Sequence, residues 1–136
     1  MQKVLFLLFF LYTILLAETI PWAESYPQAV KMAKKENKGI MLVVTAQSCS
    51  WCKKLKQRTL QDQSVAKRVT SEYIALELVK ECDLLPLGIN TNVVPTTIFI
   101  SNDGKKVIKK VPGYWKSEDF ISWLDDVKKL HKNNQK

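Results

Sequence analysis

Two cysteines, Cys49 and Cys52, are separated by a serine and a tryptophan. Thiols at this spacing can form and break a disulfide with each other, and the thiolate is the reactive form. An apolar run at residues 40–46 precedes the pair, and a lysine-rich helical pattern starts at Lys53. A strand that leads directly into a helix places Cys49 at the helix N-terminus, where free N–H groups and the helix dipole favour a thiolate.

Three other uses of a cysteine pair can be weighed against redox exchange. A c-type haem site needs histidine directly after the second cysteine, where this chain has Lys53. A zinc site would need two more ligands, and Cys82 and His131 lack ligand-pair spacing. A purely structural disulfide across so short a loop would stabilise the chain by only about 2 kcal/mol. The spacing therefore favours a redox-active pair that needs no metal and no cofactor.

Cys82 is the third cysteine and has no partner in this motif. Most free cysteines behave as small buried hydrophobes, so we expect Cys82 to be buried. A second redox thiol or an intermolecular attachment point is the alternative.

Hydrophobic periodicity predicts alternating helices and strands in the remaining chain. The predicted elements are a helix from Tyr26 that stops at Gly39, a strand over 40–46, the dithiol helix, which continues over 53–60, a second helical pattern over 65–73, strands over 74–79, 97–100 and 106–111, and a final helix capped by Ser117. The strand over 40–46 is apolar on both alternating faces, which is typical of an interior strand. Residues 80–92 are expected to be loop with one short helix. An Asn-Asp-Gly turn at residues 102–104 predicts a hairpin between the last two strands.

Size and charge limit the possible functions. A chain of 136 residues is the size of one domain, and the formal charge of +8 comes from dispersed lysines. Solvated lysines without an arginine-rich stripe do not indicate a nucleic-acid interface, so we expect no nucleic-acid partner.

The N-terminus has the pattern of an export signal. Lys3 is followed by an apolar run at residues 4–16, and Ala17 is a small residue at the expected cleavage point. We therefore expect residues 1–17 to be a signal peptide and residues 18–136 to form one domain. An uncleaved membrane anchor is the alternative, although the run is shorter than the roughly 20 residues of a spanning helix. The destination would be the periplasm, where disulfides persist.

Two motifs in this order resemble the thioredoxin-like family. The Cys-x-x-Cys motif lies at the first strand-to-helix turn, and Val94-Pro95-Thr96 precedes a later strand. The resemblance covers about residues 22–131. It implies an α/β thioredoxin fold, with a mixed central sheet and helices on both faces.

The resemblance also implies roles for individual residues. Cys49 would attack the substrate and Cys52 would resolve the mixed disulfide. Pro95 would be a cis proline facing the dithiol, and Val94, Thr96 and Trp51 would contact the substrate. From the residues alone, Pro95 could equally be an edge-strand proline, and Trp51 could simply pack on the rim of the site.

The sequence departs from the family pattern at two positions. Val43 stands six residues before Cys49, where the family commonly has a buried acid, and Ser48 replaces the usual tryptophan before the dithiol. Without that acid, Cys52 would have to pass its proton to water or substrate, or deprotonate with help from Lys53 and Lys54.

The resemblance implies a periplasmic thiol:disulfide oxidoreductase that reduces exported proteins. We expect a monomer that acts on protein thiols and disulfides and is recharged by a redox partner, which could be membrane-bound. An oxidase or isomerase working in the opposite direction is one alternative. A non-catalytic peptide-binding module with an idle dithiol is the other.

Overall fold

The computed structural model describes residues 17–134, which form both helices and strands. The elements are β1 (Trp22–Ala23), α1 (Tyr26–Glu36), β2 (Gly39–Thr45), α2 (Ser50–Lys54) with a π-helical continuation (Leu55–Thr59), α3 (Gln63–Glu72), β3 (Tyr73–Val79), a 3₁₀ turn (Pro86–Gly88), β4 (Thr96–Ile100), β5 (Val107–Pro112) and α4 (Ser117–Asn134). The predicted signal peptide, apart from Ala17, lies outside the described residues. Within this described part, no helix is long and apolar enough to cross a membrane.

The five strands form one mixed sheet in the order β1-β3-β2-β4-β5. Strands β1, β3 and β2 are parallel, whereas β4 and β5 run antiparallel to their neighbours. The predicted mixed sheet is therefore confirmed. Strand β1 was missed by the sequence patterns because its two residues, which pair with Ala75 and Leu76, are too few to show a period.

Strand β2 lies at the centre of the sheet and is covered on both faces. Its buried side chains divide between two apolar layers. Ile40, Leu42 and Val44 pack in one layer with α1, while Met41 and Val43 pack in the other with α3, α4 and the π-helical segment. The prediction of an interior strand with helices on both faces is confirmed.

Several element boundaries differ from the sequence predictions for local reasons. Helix α1 ends before Gly39, because Asn37 adopts a left-handed conformation with φ of 52° and its N–H donates to the Ala33 carbonyl. Gly39 instead begins β2. Helix α2 begins at Ser50 with Cys49 as its N-cap, which confirms the prediction that the dithiol lies at the N-terminus of this helix.

The β4–β5 hairpin closes through the predicted turn at residues 102–104. Gly104 has φ of +70°, and a Cβ atom at this position would lie 2.5 Å from Cγ2 of Val30. The Tyr26 hydroxyl also donates to the Gly104 carbonyl at 2.6 Å. The turn therefore requires glycine, and it holds the hairpin against α1.

Thr59 connects the end of the dithiol helix to the segment before α4. Its hydroxyl is fully buried and donates to the Trp115 carbonyl at 2.6 Å. The neighbouring Tyr114 ring packs on Trp51. This hydrogen bond therefore helps to fix one wall of the site that contains the dithiol.

We predict that Thr59→Val lowers the free energy of unfolding by about 1–3 kcal/mol, because it removes the hydrogen bond of a buried hydroxyl and leaves the Trp115 carbonyl without this donor. Thr70→Val is the matched control, since the buried Thr70 hydroxyl has no hydrogen-bond partner among residues 17–134. It should be neutral or stabilising. Urea denaturation of both variants measures the difference, and equal stabilities would contradict the role of Thr59.

Candidate active site

Cys49 and Cys52 form a disulfide at the start of α2. Ser48, with φ of 55°, turns the chain away from the sheet, and Cys49 then occupies the N-cap in an extended conformation. The Cys49 sulfur accepts a hydrogen bond from the Cys52 backbone N–H at 3.1 Å. The same N–H can stabilise a Cys49 thiolate when the disulfide is reduced.

The two sulfur-bearing residues differ in exposure. Cys49 is half-buried, whereas Cys52 is only 3% exposed. A substrate can therefore reach Cys49 but not Cys52 without rearrangement. This asymmetry fits the attacking and resolving roles that the family resemblance implied.

The Val94–Pro95 peptide bond is cis, as the resemblance implied. Thr96 pairs with Val44 near the end of β2, so the register places Pro95 beside the chain that leads to the dithiol. The Pro95 carbonyl accepts a hydrogen bond from the Gly113 N–H at 2.7 Å. The substrate-binding role of Val94 and Pro95 stays a prediction.

Thr96 is 2% exposed, and its hydroxyl donates to the Val93 carbonyl at 2.6 Å. The Thr91 hydroxyl donates to the same carbonyl at 2.8 Å. Thr96 therefore holds the loop before Pro95 in place. Its contact with substrate stays a prediction.

Trp51 lies on the rim of the site and is 54% exposed. Its ring is 5.6 Å from the ring of Tyr114, and the Lys54 ammonium lies 4.6 Å and 5.0 Å from the two ring centroids. The rings and the cation form one aromatic and positively charged wall beside the dithiol. The substrate contact of Trp51 stays a prediction.

A cleft of about 560 Å³ opens beside the disulfide. Glu77 lines it together with both cysteines, Lys53 and Lys56. The Glu77 Oε1 atom accepts hydrogen bonds from the Lys56 ammonium at 2.8 Å and from the Thr45 hydroxyl at 3.0 Å. Sequence reasoning missed this carboxylate, although Glu77 is the single charged residue within β3 and could have been noticed on that basis.

Cys82 is exposed, so the expectation of a buried thiol is wrong. It lies in a polar turn after β3, where the Gln47 side-chain amide donates to its sulfur at 3.2 Å. The Gln47 backbone N–H also donates to the Glu81 carboxylate at 3.1 Å. The turn is therefore bonded to the loop that leads to Cys49.

The zinc candidates do not come together in the fold. His131 packs near Tyr73, at the start of β3, with 6.5 Å between ring centroids, and burial lowers the pKa of its imidazole. Cys82 instead follows the end of β3. Among residues 17–134 there is no group of three or more histidine, cysteine or carboxylate side chains placed to hold a metal ion.

A family model described as a thioredoxin-like domain matches residues 26–128. The chain belongs to the thioredoxin-like family. The paired cysteines lie where this fold places its dithiol, at the turn from a central strand into a helix.

Comparison with individual proteins agrees with this family. Anterior gradient protein 3 of Mus musculus is 24% identical over 83 residues, which cover 61% of this chain and 50% of that protein. Thiol:disulfide interchange protein DsbD of Actinobacillus pleuropneumoniae is 26% identical over 103 residues, which cover 71% of this chain and 18% of that protein. The chain thus spans half or less of these two relatives.

A solved structure of DsbH oxidoreductase superposes with a TM-score of 0.67 at 21% identity. The match covers 84% of this chain and 88% of that one. It confirms the thioredoxin fold.

We predict that an alkylating reagent modifies Cys82 in the native oxidised protein, because its sulfur is exposed and free while the other two are paired. Mass spectrometry after proteolysis should find one modification, and Cys82→Ser should take none. An unmodified Cys82 in the native protein would contradict its exposure.

Proposed function

We propose that this thioredoxin-like protein is an exported thiol:disulfide oxidoreductase that reduces disulfides in other exported proteins. The observation that carries the proposal is the disulfide at the N-terminus of α2, with a half-buried Cys49 and a buried Cys52. A redox pair needs one sulfur that substrates can reach and one held ready behind it. The cis Val94–Pro95 bond near this pair adds support for a substrate-binding wall.

The geometry supports a two-step exchange. The Cys49 thiolate attacks a substrate disulfide, so a Cys49–substrate disulfide forms, the substrate bond breaks and one substrate sulfur leaves as a thiolate. The Cys52 thiolate then attacks the Cys49 sulfur, which re-forms the intramolecular disulfide and releases the second substrate sulfur. Two electrons pass from the dithiol to the substrate. A dithiol on a recycling partner, which could be membrane-bound, returns them through the same chemistry.

Location and direction belong to the proposal. The apolar run at residues 4–16 supports export, and the relative named thiol:disulfide interchange protein supports exchange between protein thiols. We infer a periplasmic protein that works as a monomer in the reducing direction. Disulfide formation or isomerisation is the same exchange run with a different redox potential and partner.

We predict that Cys49→Ser abolishes the acceleration of insulin reduction by dithiothreitol, because no attacking sulfur remains. Cys52→Ser should instead accumulate a mixed disulfide with the substrate, detectable by mass spectrometry without reductant. Cys82→Ser is the matched control and should keep the wild-type rate. If Cys49→Ser and the wild type accelerate the reaction equally, the protein is a binding module with an idle dithiol.

The direction can be tested separately by equilibrating the Cys82→Ser protein with glutathione buffers. We predict a midpoint potential nearer to the −270 mV or so of thioredoxin than to the −120 mV or so of a strong disulfide-forming oxidant. The fraction of oxidised pair can be read by mass after alkylation. A value near the oxidising limit would replace the reductase proposal with an oxidase.

A further inference from the structure

We propose that Glu77 is the proton acceptor for Cys52 when the dithiol resolves a mixed disulfide, an inference that rests on the function proposed above. Cys52 is 3% exposed, and burial penalises the thiolate that must attack Cys49. Val43 cannot take the proton. Glu77 is the carboxylate that lines the same cleft as both cysteines.

The sheet register places Glu77 beside Val43, the position at which the family commonly has a buried acid. Glu77 of β3 is directly paired with Val43 of β2. Side chains alternate along a strand, and Ala75 packs in the same layer as Val43, so Glu77 projects toward that face as well. The acid therefore comes from the neighbouring strand, at the end of the sheet where the dithiol lies.

Two neighbouring side chains position the carboxylate. The Lys56 ammonium and the Thr45 hydroxyl both donate to Oε1. Within residues 17–134, Oε2 makes no hydrogen bond with the protein and so has both lone pairs available. Lys56 and Thr45 are positioning residues, because they hold Oε1 while Oε2 can take up a proton.

Glu77 also lines a second cleft of about 740 Å³, which shares Lys53 and Lys56 with the first. This second cleft reaches the segment before β1 and includes Glu18. The Glu77 side chain is 27% exposed, so it can exchange protons with solvent as well as with the dithiol cleft. The charged groups around Glu77 are Lys53, Lys56 and Glu18.

The lysines near the dithiol cannot serve as the acceptor. A protonated ammonium has no lone pair, so Lys53 and Lys56 can stabilise a thiolate but cannot receive its proton. The Lys54 ammonium lies over the Trp51 and Tyr114 rings and is not among the groups that line the cleft. Lys53 and Lys54 can therefore help only through their positive charge. Lys56 acts on the site more directly, because its ammonium donates a hydrogen bond to Glu77.

The proton and electron balance of the step is complete. The Cys52 thiol transfers its proton to the Glu77 carboxylate through water in the cleft. The resulting Cys52 thiolate attacks the Cys49 sulfur, the Cys49–Cys52 bond forms and the Cys49–substrate bond breaks. The departing substrate thiolate takes the proton back from the Glu77 carboxyl. The dithiol is oxidised, the substrate disulfide is reduced, and Glu77 returns to its starting charge.

The test uses the full chain with Cys82→Ser, so that two thiols react with a chromogenic aromatic disulfide in stopped flow. The first coloured thiolate reports attack by Cys49, and the second reports attack by Cys52 on the mixed disulfide. Glu77→Gln removes the proton acceptor and nearly keeps its shape. Glu36→Gln is the matched control, because Glu36 also contacts a lysine, Lys38 at 2.9 Å, but at the opposite end of β2 from the dithiol.

We predict that Glu77→Gln leaves the first phase unchanged and slows the second about tenfold or more at pH 7. A thiol with the ordinary pKa of about 8.5 is only about 3% ionised at that pH, so loss of its proton acceptor limits the rate. The deficit should shrink as the pH rises toward 9, because hydroxide then removes the proton. Glu77→Asp should recover part of the rate, and Glu36→Gln should match the parent in both phases.

Two results would overturn the inference, and they are distinguishable. If Glu77→Gln and the parent have the same second phase and pH profile, Glu77 is not the acceptor, while the exchange function stands. If Cys49→Ser in the same Cys82→Ser chain still gives the first phase at the parent rate, Cys49 is not the attacking thiol and both proposals fail. Thermal melts of each variant in the oxidised state show whether folding contributes to a slow second phase.

Discussion

Burial of β2 on both faces is the constraint on which the site depends. Each face carries its own set of apolar side chains. A register slip of one residue would point each set toward the wrong face of the sheet. The register is therefore fixed, and with it the point where the chain leaves the sheet after Thr45. The same register aligns Glu77 of β3 with Val43 and brings the start of β4 next to the dithiol loop.

The helix that carries the dithiol is adapted to this position. Its regular part spans five residues, after which a π-helical turn is closed by a hydrogen bond from the Leu60 N–H to the Leu55 carbonyl. A turn with one additional residue changes which side chains face the sheet. Leu55 and Thr59 are buried, whereas Lys56 lies at the edge and reaches Glu77. The irregular turn thus allows a short helix to support both the apolar layer and the charged cleft.

Much of the fold could be predicted because its signals are local. The apolar run of β2, the cysteine spacing and the glycine turn at Gly104 each determine structure within a few residues. The exposure of Cys82 could not be predicted, because it depends on the polar turn after β3 folding back onto the loop at Gln47. Glu77 is noticeable in the sequence as the charged residue of an apolar strand, but its place beside the dithiol depends on pairing with a strand more than thirty residues away.

The position of Glu77 also explains how a carboxylate can serve this site at low energetic cost. An acid at Val43 would be fully buried in an apolar layer, where an unpaired charge is expensive. On the neighbouring strand the carboxylate remains 27% exposed and contacts both a lysine and a hydroxyl. Solvent access lowers the desolvation cost, and the lysine offsets part of what remains. The carboxylate thus lies next to the dithiol while the layer beneath it stays apolar. Glu77 serves proton transfer, and Val43 serves packing.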